Sequence, residues 1–387
     1  MIPYGKHQLF DSDIEAVTAI LKSDYLTQGP TVELFENKVK EYVNVNYTVA
    51  VNSATSALHI TCLALGLGDG DIAWTSAISF VASANCAIYC GASIDFVDVD
   101  LSTGNMSIKA LKNKLLLAKQ NNKLPKVVIP VHLTGNPCEM AEIKDLSSEY
   151  GFKVIEDASH AIGANYEKEY VGSCKYSDAT IFSFHPVKII SSGEGGMVAT
   201  NSEETFEKLK RLRSHGIVYG HSSRKNSPCN EIWNYEQVDL GYNYRMSDIH
   251  AALGLSQMAH IEDFIISRNA KAKVYNAAFK NSVLKTIEVS NDTKSSYHLY
   301  PILLPETVDQ KKIYSQLQNA GISVNIHYIP IYLQPYYEKI GFKRGYCPNA
   351  EIYFSKTITL PLYTTLKKED QNYVINKVNE YIIFVNR

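Results

Sequence analysis

SFHPVKIISSGEGG, Ser183–Gly196, sets one lysine between an aromatic, histidine-bearing run and three glycines around Glu194. Most lysines are solvated charges and need no such setting, so what surrounds Lys188 decides its reading. On one side lies DATIFSF (178–184), on the other GGMVAT (195–200). Both read as short buried strands, because each is an apolar run of strand length. Lys188 therefore lies in the loop beyond a strand's carboxyl end, where open α/β sheets bind their ligands.

Upstream, the same alternation repeats. TVAVN (48–52) reads as a strand and TSALHITCLAL (55–65) as a helix; AISFVASANCAIYCGA (77–92) reads as a helix and SIDFVDVD (93–100) as a strand. KVVIPVHL (126–133) is a buried strand, EMAEIKDLSSEYG (139–151) a helix ended by Gly151, and FKVIEDAS (152–159) the next strand. Strands that are apolar throughout and alternate with helices predict an α/β fold, a mainly parallel sheet covered on both faces. After about Arg245 the pattern changes. A long helical run (246–279) leads to shorter mixed elements, SSYHLYPILL (295–304), VDQKKIYSQLQNAG (308–321) and ISVNIHYIP (322–330). An amphipathic helix, KEDQNYVINKVNEYIIF (368–384), closes the chain. The expected division is a large domain at 1–255, with an N-terminal arm at 1–10, and a smaller C-terminal α/β domain at 256–387.

The 387 residues are 45% hydrophobic and 20% charged, the balance of a globular chain rather than a disordered one. A formal net charge of −2 points to neither nucleic acid nor an anionic membrane as a partner. No apolar run approaches the roughly 18 residues that span a bilayer. The opening MIPYGKHQLFDSD lacks the apolar core of a signal peptide, so a cytoplasmic location is expected. The seven cysteines, Cys62, Cys86, Cys90, Cys138, Cys174, Cys229 and Cys347, are odd in number and match no zinc spacing. They read as reduced packing thiols, and no metal is expected.

Three strand ends carry chemistry. After TVAVN comes SATSAL (53–58), whose small and hydroxyl residues open a helix; free backbone N–H groups there suit a phosphate, although a plain serine cap reads the same way. After FKVIE comes Asp157, followed by Ser159 and His160. After IFSF come His185 and Lys188. Together they match one ligand, with a phosphate, a ring nitrogen that favours a nearby anion, and an aldehyde that meets an amine. That ligand is pyridoxal phosphate, with Lys188 on the aldehyde, Asp157 on the ring nitrogen and Ser183 near the phosphate. Phe80 is placed to stack on the ring. GLGDGD (66–71) follows a helix and is a turn, not a dinucleotide fingerprint, and GxxxxGK[ST], HExxH and GxSxG are absent.

LTQGPTVELFE (26–36), NSATSAL (52–58), EDASHAIGA (156–164), SFHPVK (183–188), GEGG (193–196), RSHGI (213–217) and GYNYRMSDIHAALGLSQ (241–257) stand in this order over nearly the whole chain. In these pieces the sequence resembles the DegT/StrS-type sugar aminotransferases of the aspartate-aminotransferase (type I PLP-dependent transferase) fold. Ser159-His160, HLYPIL (298–303) and NIHYIPIY (325–332) narrow the likeness to the subgroup serving pseudaminic acid biosynthesis. That subgroup aminates a UDP-linked 4-keto-6-deoxy-N-acetylhexosamine, with L-glutamate as the usual donor. The resemblance implies catalysis by Lys188, and cofactor contacts at Ala54, Thr55, Phe80, Asp157, His160, Ser183, Lys188 and, from the partner of a homodimer, Asn243. It implies substrate contacts at Tyr4, Asp24, Tyr25, Leu26, Thr27, His185, Ile326, His327, Tyr328 and Ile329. Asp24 and Ile329 stand where relatives often carry lysines, and IAWTS (72–76) departs from the usual strand pattern. A dTDP-linked sugar or attack at C3 stays open. Lys188 argues against the sugar 3-dehydratases of the family, which carry histidine there, and no added DNA-binding region favours a non-catalytic regulatory module.

Overall fold

The computed structural model describes residues 1–219, 233 and 235–383; Cys229 and the last residue of the expected C-terminal helix, Phe384, lie outside them. The central sheet holds β1 Tyr47–Val51, β2 Ile72–Ser76, β3 Ser93–Val97, β4 Val127–Ile129, β5 Lys153–Asp157, β6 Ala179–Ser183 and β7 Gly196–Thr200. Their order is β1-β7-β6-β5-β4-β2-β3. Pairing is parallel from β3 through β2, β4 and β5 to β6, and β7 runs antiparallel to both β6 and β1. The reversal has a simple cause. A parallel return needs a crossover long enough for a helix, and residues 184–195 hold none. The loop carrying Lys188 therefore turns the chain straight back. The run IAWTS, unassigned on sequence pattern, is β2, inside the sheet.

The sheet's two faces are filled by alternate residues, as a period of two requires. Val49, Val51, Ile181 and Val198 pack into one core, Ala50, Phe182, Met197 and Ala199 into the other. The surrounding helices are α1 Asp11–Leu21, α2 Pro30–Val43, α3 Ala54–Ala64, α4 Ala82–Tyr89, α5 Ile108–Gln120, α6 Met140–Tyr150, α7 Glu203–Arg213, α8 Asp248–Met258 and α9 Ile261–Phe279. The helix expected over 77–92 begins only at Ala82, because residues 77–81 form the turn that leaves β2. Ser53 caps α3, its hydroxyl accepting from the Ser56 N–H at 3.1 Å. The buried Asp248 carboxylate accepts from the Gly29 and Thr31 N–H groups at 2.9 and 3.0 Å, which ties the start of α2 to α8.

Helix α9 joins two cores. Its Ile261, Phe264 and Ile265 pack beside the central sheet, and its Ala272, Tyr275 and Phe279 pack with Tyr300, Ile302 and Leu360. The latter residues belong to a three-stranded antiparallel sheet, Lys285–Thr286, Tyr300–Leu303 and Thr357–Leu360. Residues 322–330 run beside it without forming a regular strand, apart from single bridges at Ile322 and Asn325. Among the described residues, no helix is long and apolar enough to cross a membrane.

The first turn of α3 rests directly on β7. A Cβ on Gly196 would come within 2.5 Å of the Ala54 nitrogen and of the Ser53 carbonyl carbon. Backbone atoms cannot rotate aside, so this glycine sets how closely α3 approaches the sheet. Replacing Gly196 by alanine is expected to lower unfolding stability by about 1–3 kcal/mol, measured by urea denaturation. An unchanged denaturation midpoint would show that α3 has freedom to move.

Candidate active site

A cavity of about 560 Å³ opens beyond the carboxyl ends of the strands. Its wall is assembled from the segment after each of several strands: Ala54 and Thr55 after β1, Ser79–Ser83 after β2, Val131 after β4, Ser159 and His160 after β5, and His185, Val187 and Lys188 after β6. Tyr4 and the segment Asn325–Ile329 close it from the other side.

Asp157 ends β5 and is 4% exposed. Its Oδ2 accepts from the Ser83 hydroxyl at 2.6 Å; its Oδ1 accepts from the Ser159 N–H at 3.1 Å and the Ser159 hydroxyl at 2.6 Å. A further hydroxyl, that of Ser79, lies 2.7 Å from Ser83 Oγ. These contacts orient the carboxylate from three sides. Lys188 is the one lysine or arginine lining the cavity among the described residues, and its Nζ has neither a hydrogen bond nor an ion pair there. Burial pushes its pKa down to about 8, an effect the nearby Asp157 charge partly opposes.

The opposite wall is made of neutral imidazoles. Burial, then the charge of Lys188, then His327, holds His160 well below the usual histidine range. Burial, and then Lys188, brings His327 down to about 4. The His160 ring lies 4.4 Å from that of His298, its Nε2 is 3.4 Å from the Tyr328 hydroxyl, and its backbone carbonyl accepts from Ser296 Oγ at 2.7 Å. His160 Nδ1 is buried with no partner, a polar atom left for a ligand. His327 Nδ1 is 2.9 Å from Thr359 Oγ1, which anchors the 325–329 segment to the small sheet.

Of the residues expected from the sequence, Tyr4, Ala54, Thr55, Phe80, Asp157, His160, Ser183, His185, Lys188, Ile326, His327, Tyr328 and Ile329 all line this cavity. Phe80 stands at its mouth, 59% exposed. Asp24, Tyr25, Leu26, Thr27 and Asn243 do not line it. The Leu26 carbonyl accepts from the Asp248 N–H at 3.0 Å, Thr27 bridges Ser247, and Asn243 bridges Ser214. Sequence reasoning missed Ser83, Val131 and Gln334. Ser83 lies in the apolar run that forms α4, where nothing local separates a carboxylate's partner from a packed serine.

The residues present suit pyridoxal phosphate. The Ser53 hydroxyl and carbonyl are taken up by the Ser56 and Ala57 N–H groups, which leaves the Ala54 and Thr55 N–H groups unpaired at the start of α3, a phosphate-binding arrangement. The hydroxyl-bearing Ser183 lines the same cavity. A carboxylate with fixed orientation, an unpaired amine and the orphaned His160 Nδ1 supply the other polar partners that the ring, the aldehyde and its neighbouring substituent call for.

Residues 8–379 match the DegT/DnrJ/EryC1/StrS aminotransferase family. A UDP-4-amino-4,6-dideoxy-N-acetyl-beta-L-altrosamine transaminase of Campylobacter jejuni is 39% identical over 377 residues, 97% of this chain and 96% of that one. The structure is similar to Helicobacter pylori PseC, an aminotransferase involved in the biosynthesis of pseudoaminic acid, with a TM-score of 0.90 and 30% identity over 99% of both chains. It is also similar to the PLP form of Streptococcus pneumoniae Spr1654, with a TM-score of 0.88 and 27% identity over 99% of both chains. A cavity built for pyridoxal phosphate and a match spanning nearly the whole sequence lead to one conclusion: the chain belongs to the DegT/DnrJ/EryC1/StrS family and is a pyridoxal-phosphate-dependent sugar aminotransferase.

Proposed function

We propose that this enzyme transfers an amino group from L-glutamate to the C4 ketone of UDP-2-acetamido-2,6-dideoxy-β-L-arabino-hex-4-ulose, a step of pseudaminic-acid-type sugar synthesis. The observation that carries amino transfer is the unpaired Lys188 amine sharing one cavity with the buried Asp157 carboxylate. The names of the Campylobacter jejuni and Helicobacter pylori relatives support the choice of sugar. The same reading makes the enzyme a cytoplasmic homodimer and divides each chain into a cofactor-holding domain, 1–255, and a smaller domain, 256–387. Asp24–Thr27 and Asn243, which do not line the cavity of their own chain, enter this reading as residues presented by the second copy.

When bound, pyridoxal phosphate supplies an aldehyde that carries the amino group from donor to acceptor and a ring that takes up the electrons of the bond broken at the substrate carbon. Asp157, oriented by Ser83 and Ser159, would hold the ring nitrogen and favour its protonated form. Ala54, Thr55 and Ser183 would hold the phosphate. The freed amine of Lys188 takes a proton from the substrate carbon and delivers one in the reverse half of the exchange, first base and then acid. A pKa of about 8 leaves both forms of the amine populated near neutral pH, as the double role requires. Phe80, at the mouth of the cavity, would cover one face of the ring. Tyr4, His185 and Ile326–Ile329 hold the sugar, and the neutral His160 and His327 can hydrogen-bond to it without adding a second cation beside Lys188.

Incubating the enzyme with glutamate and a panel of UDP- and dTDP-linked ketosugars, then identifying products by mass and NMR, tests the substrate. A 4-amino UDP sugar is expected; amination of only a dTDP sugar, or at C3, would overturn the sugar assignment. Lys188→Ala and Lys188→Arg are both expected to reduce turnover about a thousandfold or more, and to leave no cofactor fixed at position 188 after borohydride treatment and peptide mapping. Full turnover in either variant would rule out the proposed proton carrier. Attack on an aldehyde needs the uncharged amine, so fixation by cofactor-free chain should rise with pH, with a midpoint at about 8. Because Asp157 holds that midpoint up, Asp157→Asn should move it lower. A wild-type midpoint near the ordinary lysine value of about 10.4 contradicts the burial account.

A further inference from the structure

A second cavity, of about 390 Å³, lies away from Lys188, among the first turns of α5 and α6 and the segment 288–293. Asn136, on the loop that leads to α6, lines it and is 3% exposed. Its Nδ2 donates to the Glu288 carbonyl at 2.9 Å, which fixes the orientation of the amide. Its Oδ1 is buried with no partner. Its backbone carbonyl is engaged as well, accepting from Asn105 Nδ2 at 2.9 Å. One acceptor is thus left unused, and a buried acceptor without a donor costs free energy that a ligand's N–H recovers.

The charged groups of this cavity fall into two sets. Glu139 immediately precedes α6, and its carboxylate has neither hydrogen bond nor ion pair among the described residues. Desolvation, and then the charges of Glu142 and Glu167, push its pKa up, as befits an anion that lacks a cation. Glu142 itself is paired with Lys112 at 2.6 Å. On α5, the Ser107 hydroxyl accepts from the Ala110 N–H at 3.3 Å and the Ser107 carbonyl from the Leu111 N–H at 2.9 Å. The Ile108 and Lys109 N–H groups stay unpaired at the positive end of a 13-residue helix, and the Lys109 amine has no ion pair among the described residues. A ligand here meets acceptors from α6 and its leading loop, and donors from α5. The described residues form no group of three His, Cys, Asp or Glu that could hold a metal ion. A diphosphate would be repelled by the unpaired carboxylates of Glu139 and Glu288.

We propose that this cavity binds a free α-amino acid, a second ligand apart from the donor that reacts at Lys188. The α-carboxylate takes the Ile108 and Lys109 N–H groups and the Lys109 amine. The α-ammonium takes Asn136 Oδ1 and the Glu139 carboxylate. The loop 131–138 lines the active-site cavity at Val131 and the second cavity at Asn136. Between these two residues, the Gly135 carbonyl accepts from the Ser296 N–H at 3.0 Å, and Ser296 Oγ donates to the His160 carbonyl at 2.7 Å. A Cβ on Gly135 would come within 2.1 Å of Ser296 Oγ, so the two cavities share one closely packed loop.

Isothermal titration calorimetry of the holoenzyme tests this, with the cofactor first fixed to Lys188 by borohydride so that no amino group is exchanged. L-Glutamine is the probe, because its side chain adds no charge; acetate and methylamine each supply one of its two charges. The wild-type enzyme is expected to bind glutamine, and neither acetate nor methylamine should displace it. Glu139→Gln and Lys109→Ala, both at exposed positions, should each weaken binding roughly tenfold or more. No binding by the wild-type enzyme, an unchanged affinity in either variant, or displacement by acetate or methylamine alone overturns the proposal. None of these readouts involves sugar turnover, so the outcome is independent of the substrate assignment.

Discussion

Asp157 and Lys188 carry opposite charges in one desolvated cavity and form no ion pair. The carboxylate accepts from Ser83 and Ser159, and the amine has no hydrogen bond or ion pair among the described residues. An anion and a cation that line one desolvated cavity would gain by pairing, since a low local dielectric strengthens their attraction. The serines restrain the carboxylate from turning toward the amine. The two shifts that burial imposes, a lowered Lys188 and histidines kept neutral, follow from the same desolvation.

That arrangement depends on where the chain turns. Asp157 sits at the end of β5 and Ser183 at the end of β6, neighbouring parallel strands, so both point to the same edge of the sheet. The short loop after β6 cannot cross over, so it holds Lys188 above that edge and returns as the antiparallel β7. β7 in turn carries Gly196 against the first turn of α3, which brings the Ala54 and Thr55 N–H groups to the same place. The 325–329 segment comes from beyond the second core and is held there by His327 and Thr359. Helix α9 contributes to both cores, and this shared helix lets a distant part of the chain form the cavity's remaining wall.

The cavity holds a single cationic side chain from the described residues. A diphosphate-bearing substrate must therefore find its electrostatic partners in backbone N–H groups, neutral imidazoles and hydroxyls, or in a second copy of the chain. Positions 24 and 329 sharpen this, because neither provides a positive charge.

Strand–helix alternation, the continuous apolar strands and the residues just after them were legible in the sequence, because periodicity and local chemistry are written residue by residue. Lys188, Asp157 and the SATSAL start of α3 could be grouped on one ligand from strand-end logic alone, and the spacing of the motifs carried the family. The direction of β7, the late start of α4 and the strand character of IAWTS were not legible, since each is set by what the chain must reach in space. The role of Ser83 was hidden for the same reason: a serine in an apolar helix has one local signature, whether it packs or works. Sequence alone determined which side chains could do the chemistry. Only the tertiary structure decided which of them face one another and which lose their water, because burial and opposition are properties of distant segments brought together.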